Sequence, residues 1–167
     1  MGYKVIIYGR IEGASPPSYL KTTPFRDKVY HHNRCVIEGL PDTDSEWPFL
    51  TRHMFSLALP KLEWNYDRGI YKTQIIHFGA SLKVDRSNTD FVNQWLDKFE
   101  QQLLKPLVWY SAVVHFEHEV AGNCVVSYDA EMNSLHEVFE EFRALGSRVE
   151  AKIQWVRKPE TPSKAFN

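Results

Sequence analysis

A chain of 167 residues with 43% hydrophobic and 14% aromatic content is long enough for one packed core and short for two. Its charges balance, 20 Lys+Arg against 21 Asp+Glu for a formal net charge of −1, so no overall basic field points to a polyanionic partner. The cysteines, Cys35 and Cys124, lie far apart without CxxC spacing and suggest neither a disulfide framework nor a zinc ribbon, and no stretch approaches the roughly 20 apolar residues of a membrane span.

The apolar run in MGYKVIIYGR is too short for a signal-peptide core, and Ile6 stands where a myristoylation motif needs Ser or Thr. The expectation is a cytoplasmic protein with reduced thiols.

Tyr3 to Glu12 alternates as a strand, with Val5, Ile7 and Ile11 on one face and Ile6 and Tyr8 on the other. Gly13-Ala-Ser-Pro-Pro-Ser18 ends it, because prolines remove backbone donors and fix φ. Phe25 to Leu40 reads as irregular or weakly helical. Pro41 to Pro48 is an acidic turn leading into a short helix, with Ser45 as its cap and Leu50, Met54 and Leu57 at helical spacing.

Tyr71 to Val84 reads as a strand with Ile76, Phe78, Ala80, Leu82 and Val84 on one face. Ser87-Asn-Thr-Asp90 resembles a capping box opening a helix whose buried stripe is Val92, Leu96, Phe99 and Leu103. Leu107–Glu119 and Asn123–Asp129 form strands around a hairpin turn at Ala121-Gly-Asn123. Ser134-Leu-His-Glu137 is a capping box for a helix buried through Leu135, Val138, Phe139, Phe142 and Leu145, with Gly146 as its stop. Arg148 to Arg157 alternates as a last strand.

This order predicts an α+β protein with a largely antiparallel sheet and two main helices. From about residue 71 the order is the ferredoxin-like βαββαβ, preceded by an N-terminal strand and a short helical segment. One domain is expected over residues 1–158, with a mobile tail over 159–167.

VVHFEHE, Val113 to Glu119, is the densest cluster of chemistry-bearing residues. On a strand, His115, Glu117 and Glu119 point one way and Phe116 and His118 the other, so the cluster splits. A metal would need a third ligand, and His77 is the obvious donor, but in the ferredoxin-like order the strand beginning at Asn123 lies between the two histidines and separates their backbones by about 9 to 10 Å. Adjacent His31 and His32 cannot both face one ion from a regular element.

No Gly-x-Ser-x-Gly elbow, activated-thiol context, Gly-rich phosphate loop or Walker-type GK[ST] occurs. The Cys124–Tyr128 strand lacks the aromatic pattern of RNA-recognition motifs. The expectation is therefore a non-enzymatic protein without a cofactor or bound metal. The alternative is a small metal-binding protein or enzyme using His77, His115 and Glu117.

Between Leu40 and Ile70, acidic residues stand beside Trp47, Trp64 and Tyr66, a composition suited to a protein interface because aromatics anchor and charges steer. The same aromatics could instead cover a second sheet face carrying Ile6, Tyr8, Ile75, Trp109 and Val125.

The YGRIEG strand, the EWPFLTRHMFSL helix, and the QIIHFGASLK strand before a Trp-bearing amphipathic helix together resemble a small bacterial immunity protein of a polymorphic-toxin or contact-dependent inhibition system. The resemblance lies in size, layout and aromatic richness, and it implies a cytoplasmic protein that neutralises a cognate toxin domain, often a nuclease, by direct binding, with no direct contact to nucleic acid or membrane. The near-neutral charge departs from the acidic character of many nuclease inhibitors. On this reading Asp42, Asp44, Glu46 and Trp47 bind the partner with help from Glu117 and Glu119.

Overall fold

The computed structural model describes residues 2–14, 23–58, 74–145 and 153–160. Within them, strands β1 (Gly2–Gly13), β2 (Phe55–Ala58), β3 (Ile75–Asp85), β4 (Trp109–His118), β5 (Gly122–Ala130) and β6 (Trp155–Glu160) form one six-stranded sheet in the order β2-β3-β1-β4-β5-β6. Every neighbouring pair is antiparallel. The helices are α1 (Thr23–Glu38), α2 (Phe91–Phe99) and α3 (Met132–Leu145).

The α+β class and the antiparallel sheet are as the sequence predicts, but the spatial order is not the ferredoxin-like one. The chain does run β3-α2-β4-β5-α3-β6. Yet β1 lies between β3 and β4, pairing with both along almost its whole length, while β5 and β6 are direct neighbours. The N-terminal strand, expected as a preface to the fold, is thus a central strand of the sheet.

Burial along the strands follows the two-residue period. Val5, Ile7, Ile11, Ile76, Phe78, Val84, Ala112, Val114, Phe116, Val126 and Tyr128 are all buried on one face. α2 covers this face. Trp95 stacks on Phe99 at 5.1 Å and meets Phe116 edge-on at 5.6 Å, and Phe99 reaches Phe78 at 5.4 Å and Tyr128 at 6.1 Å. Val29 and Ile37 of α1, and Leu135, Val138, Phe139 and Phe142 of α3, join the same core.

On the other face, which carries Lys4, Ile6, Tyr8, Arg10, His77, Val113, His115, Glu117 and Val125, no described strand residue is buried. Among the described residues, the helices therefore cover one side of the sheet only.

Several local expectations are corrected. Of the two readings of Phe25 to Leu40, the helical one holds and the irregular one does not: α1 buries Val29, Tyr30, Asn33 and Ile37 and ends where the Gly39 N–H donates to the Cys35 carbonyl at 2.9 Å. The helix expected after Ser45 is replaced by a 3-10 turn, Arg52–Met54, and then β2, because Phe55 and Leu57 face the core as alternate strand residues.

Neither capping box forms. Asp85 accepts from the N–H and Oγ of Ser87 in a local turn, and α2 starts after Asp90 without a side-chain cap. Ser134 lies inside the first turn of α3, donating to the Glu131 carbonyl and accepting from the Gln154 N–H, which ties the helix to the approach to β6.

The last strand lies later than expected, at Trp155–Glu160, and so enters the segment expected to be tail. Tyr71, Trp64, Tyr66, Gly146, Val149, Ala151 and residues 161–167 lie outside the described residues.

Two irregularities place side chains. α2 runs into a π-helical turn, Glu100–Leu104, closed by the Lys105 N–H donating to the Glu100 carbonyl at 2.9 Å. Between Glu12 and Gly13 the β1–β4 register shifts, so Tyr110 is an extra residue. The bulge turns Trp109 into the core, where its indole N–H donates to the Leu104 carbonyl at 2.8 Å, and leaves Tyr110 48% exposed. Trp109 is thus not a residue of the uncovered face.

Candidate functional site

The alternation of β4 splits VVHFEHE as its sequence requires. His118 turns to the core side, where its Nδ1 accepts from the N–H groups of Val120 and Ala121 at 3.0 and 2.8 Å, so it holds the hairpin turn. His115 and Glu117 lie on the uncovered face beside β1. Tyr8 sits directly opposite His115, and the two rings stack at 4.8 Å with an interplanar angle of 2°.

The Tyr8 hydroxyl donates to Glu117 Oε1 at 2.9 Å. That bond chiefly, with some burial and the carboxylate's charge, raises the phenol above its ordinary range. Three side chains are thereby fixed against one another on a surface that no described helix covers.

One residue pair further along β1, Arg10 lies opposite His77 of β3 and Val113 of β4. Tyr8, Gly9, Arg10, His77, Val113 and His115 line a shallow depression of about 330 Å³. β1 therefore stands between His77 and His115, in the place the sequence reading gave to the strand beginning at Asn123. Among the described residues no group of three or more His, Cys, Asp or Glu is arranged to hold a metal ion.

The acidic loop is placed elsewhere. Asp42 pairs with Arg52 and approaches His53 at 3.3 Å. Asp44 Oδ2 meets the Lys98 ammonium at 2.5 Å and accepts the Leu50 N–H at 2.9 Å, while its Oδ1 accepts the Glu46 N–H at 3.1 Å. Burial pushes the Asp44 carboxyl upward, but Lys98 and these two backbone donors together outweigh it and hold the group below the usual aspartate range.

Glu46 gives its carbonyl to Lys98, and the Trp47 indole N–H donates to Gln94 of α2 at 3.2 Å. Asp44, Glu46 and Trp47 thus sit against α2 on the helical side of the sheet, Asp42 lies beside Arg52, and Glu117 is on the opposite face. Glu119 lies past the end of β4 and accepts the Lys4 N–H at 3.3 Å through Oε2. The six residues expected to bind a partner do not share one surface.

Other polar residues have structural work. His32 meets the Pro106 carbonyl at 2.7 Å and the Phe142 ring edge-on, while His31 lies 3.5 Å from Cys35 Sγ on the exposed side of α1. Tyr128, fully buried, donates to Glu100 Oε1 at 2.8 Å, and Arg157 of β6 bonds the same oxygen through Nε at 2.7 Å. Burial first, then the bond to Glu100, pushes this phenol far above its ordinary range. The cluster joins the π turn of α2 to β5 and β6.

Tyr8 and Arg10 are the residues of this face that sequence reasoning did not single out as a site. Their alternation was visible, but their neighbours depend on which strands flank β1.

Comparisons with protein-family models, curated proteins and solved structures give no match for this chain. What defines it is its architecture: an α+β protein with a six-stranded antiparallel sheet, in which no described helix is long and apolar enough to cross a membrane.

Proposed function

We propose that this protein is a non-enzymatic inhibitor of the immunity type, which neutralises a cognate toxin domain by binding it through the uncovered face of its sheet. One observation carries the reading. A six-stranded sheet leaves an entire face without a buried described residue, although that face includes Ile6, Ile75, Val113 and Val125. A face of this composition, with an aromatic pair already fixed at its centre, suits a partner that brings its own apolar surface.

The proposed contact set shifts accordingly. Glu117 remains in it, joined by Tyr8 and His115. Asp42 and Asp44 leave it, because charges already paired within the chain have little to offer a partner.

The test is co-expression with the product of the neighbouring gene, read as relief of toxicity and as affinity of the purified pair. Tyr8→Ala combined with His115→Ala is expected to weaken the complex by about a hundredfold, the effect of losing a central aromatic anchor. Asp42→Lys should change affinity less than about threefold. A complex broken by Asp42→Lys and indifferent to the sheet-face variants would return the interface to the loop. No toxic neighbour, and no complex with its product, would remove the inhibitor reading.

A further inference from the structure

The depression between β3, β1 and β4 has a chemistry of its own. Arg10 is exposed, and no hydrogen bond or ion pair engages it among the described residues. Arg34 on α1 is likewise exposed without a partner among the described residues, but Arg52 pairs with Asp42, Arg143 with Glu140 and Arg157 with Asp97 and Glu100, and Arg86 lies over the Tyr3 ring at 5.0 Å. Arg10 faces an imidazole on either side instead. His77 is its direct partner across β3, and His115 lies on β4 two residues from its partner Val113, on the same face.

Directly opposed residues on one face bring their Cβ atoms to about 5 Å, and diagonal ones to within reach of long side chains. The three groups thus surround one depression from three adjacent strands.

The carboxylates nearby are already occupied. Glu117 holds the Tyr8 hydroxyl, and Glu12, two residues from Arg10 on the same face, accepts from Ser111 Oγ at 3.3 Å. The Tyr8 ring, stacked flat on His115, fixes the orientation of that imidazole and so forms one wall. Val113 supplies an apolar side, and Gly9 contributes backbone. What the depression gathers is a planar guanidinium fork and two imidazole N–H donors, with no carboxylate among its lining residues.

We infer that this depression binds a tetrahedral oxyanion, a phosphate dianion or a phosphoryl group, held between Arg10, His77 and His115. A carboxylate would satisfy the guanidinium fork alone with its two oxygens. A phosphoryl group presents three terminal oxygens, one for each of the donors converging from three strands. The site goes beyond the docking reading and does not need it, since the free chain carries every group involved.

Inorganic phosphate titrated into the full chain at constant ionic strength, followed through the ring C–H signals of His77 and His115, tests it. Saturable shifts of both rings are expected. Arg10→Gln should weaken binding about tenfold, the loss of one charge-assisted interaction, and Arg86→Gln should leave it unchanged. His77→Gln provides a second route, with weaker phosphate binding and a surviving response at His115. Acetate at the same ionic strength should bind at least about tenfold more weakly than phosphate.

O-phosphoserine binding more tightly than phosphate would assign the site to an esterified phosphoryl group, and the reverse to free phosphate. Shifts that never saturate, equal response to acetate, or unchanged binding in Arg10→Gln would overturn the inference. None of those results touches the inhibitor reading, which stands or falls on the toxin complex.

Discussion

The acidic loop from Asp42 to Trp47 and the uncovered face around Tyr8 make opposite use of their polar groups. In the loop, Asp42 meets Arg52 and Asp44 takes two backbone N–H groups of its own segment, while Asp44 to Lys98 and Trp47 to Gln94 fasten the loop to α2. Among the described residues of the sheet face, Glu117 takes only the Tyr8 hydroxyl and Arg10 has no partner. A run of charges in a sequence is thus a poor guide to free charge, because its value to a partner depends on what it already pairs with at home.

The sharpest contrast between the two sides of the sheet uses two glycines on neighbouring strands. A Cβ at Gly9 would overlap the Val113 carbonyl oxygen and come within 2.6 Å of Cζ in the buried Phe78 ring. Neither can yield without moving β4 or the core under α2. Gly9→Ala should therefore cost about 3 kcal/mol, seen as a lower denaturant midpoint. At Gly79, on the uncovered side, a Cβ would find its nearest atom, the Ile7 carbonyl oxygen, at an ordinary 3.6 Å. Gly79→Ala should change stability by less than about 0.5 kcal/mol. Equal losses would mean that the second face is packed after all.

Next in size is Asp44→Ala, which leaves the Lys98 ammonium and the Leu50 and Glu46 N–H groups without their acceptor and should cost about 2 kcal/mol. Its pH signature has a definite sign. The folded carboxyl is held below the unfolded value, so its contribution is present above the ordinary aspartate pKa of about 3.9 and is lost as pH falls below it toward the folded value. Unfolding midpoints between neutral and strongly acid pH should fall more steeply in the wild type than in Asp44→Ala. Parallel curves would mean that the loop is fastened by Trp47 and backbone contacts rather than by its carboxylate.

The strands were legible where one face is buried and the other is not, since β1, β3, β4 and β5 carry the two-residue alternation openly. α1 was obscured because Asn33 sits in the middle of its buried stripe. There it bonds both the N–H and the carbonyl of Val108 and the side chain of Gln74, which no periodicity of apolar residues reveals. β2 was hidden by its brevity, because Leu50, Met54 and Leu57 fit a helix as well as a turn followed by a strand.

The position of β1 could not be read at all. Which strands flank a strand is a long-range choice, and with it went the meeting of Tyr8 with Glu117 and of Arg10 with His77. The split of His115 and Glu117 from His118 needed only the local period, and that part was readable.

The smallest effect tests whether the sheet face is ordered before anything binds. Glu117→Gln removes a negative charge that no cation offsets by an ion pair among the described residues, and stability should move by less than about 0.5 kcal/mol. The Tyr8 phenol should move more visibly. Its pKa is raised chiefly by donating to the Glu117 carboxylate, and a neutral amide oxygen is a weaker acceptor without the charge, so the titration should fall back toward about 10.

A phenol raised in the folded state contributes stability that is complete below the unfolded pKa and is shed as pH rises above it, where the unfolded chain ionises first. That alkaline loss should be smaller in Glu117→Gln than in the wild type. The ring signals of Tyr8, followed from pH 8 upward, separate the outcomes. A downward shift means that Tyr8, His115 and Glu117 are already locked together in the free protein. An unmoved titration would mean that the stacked pair is not held by Glu117, and a binding face that must first be ordered pays for that in affinity.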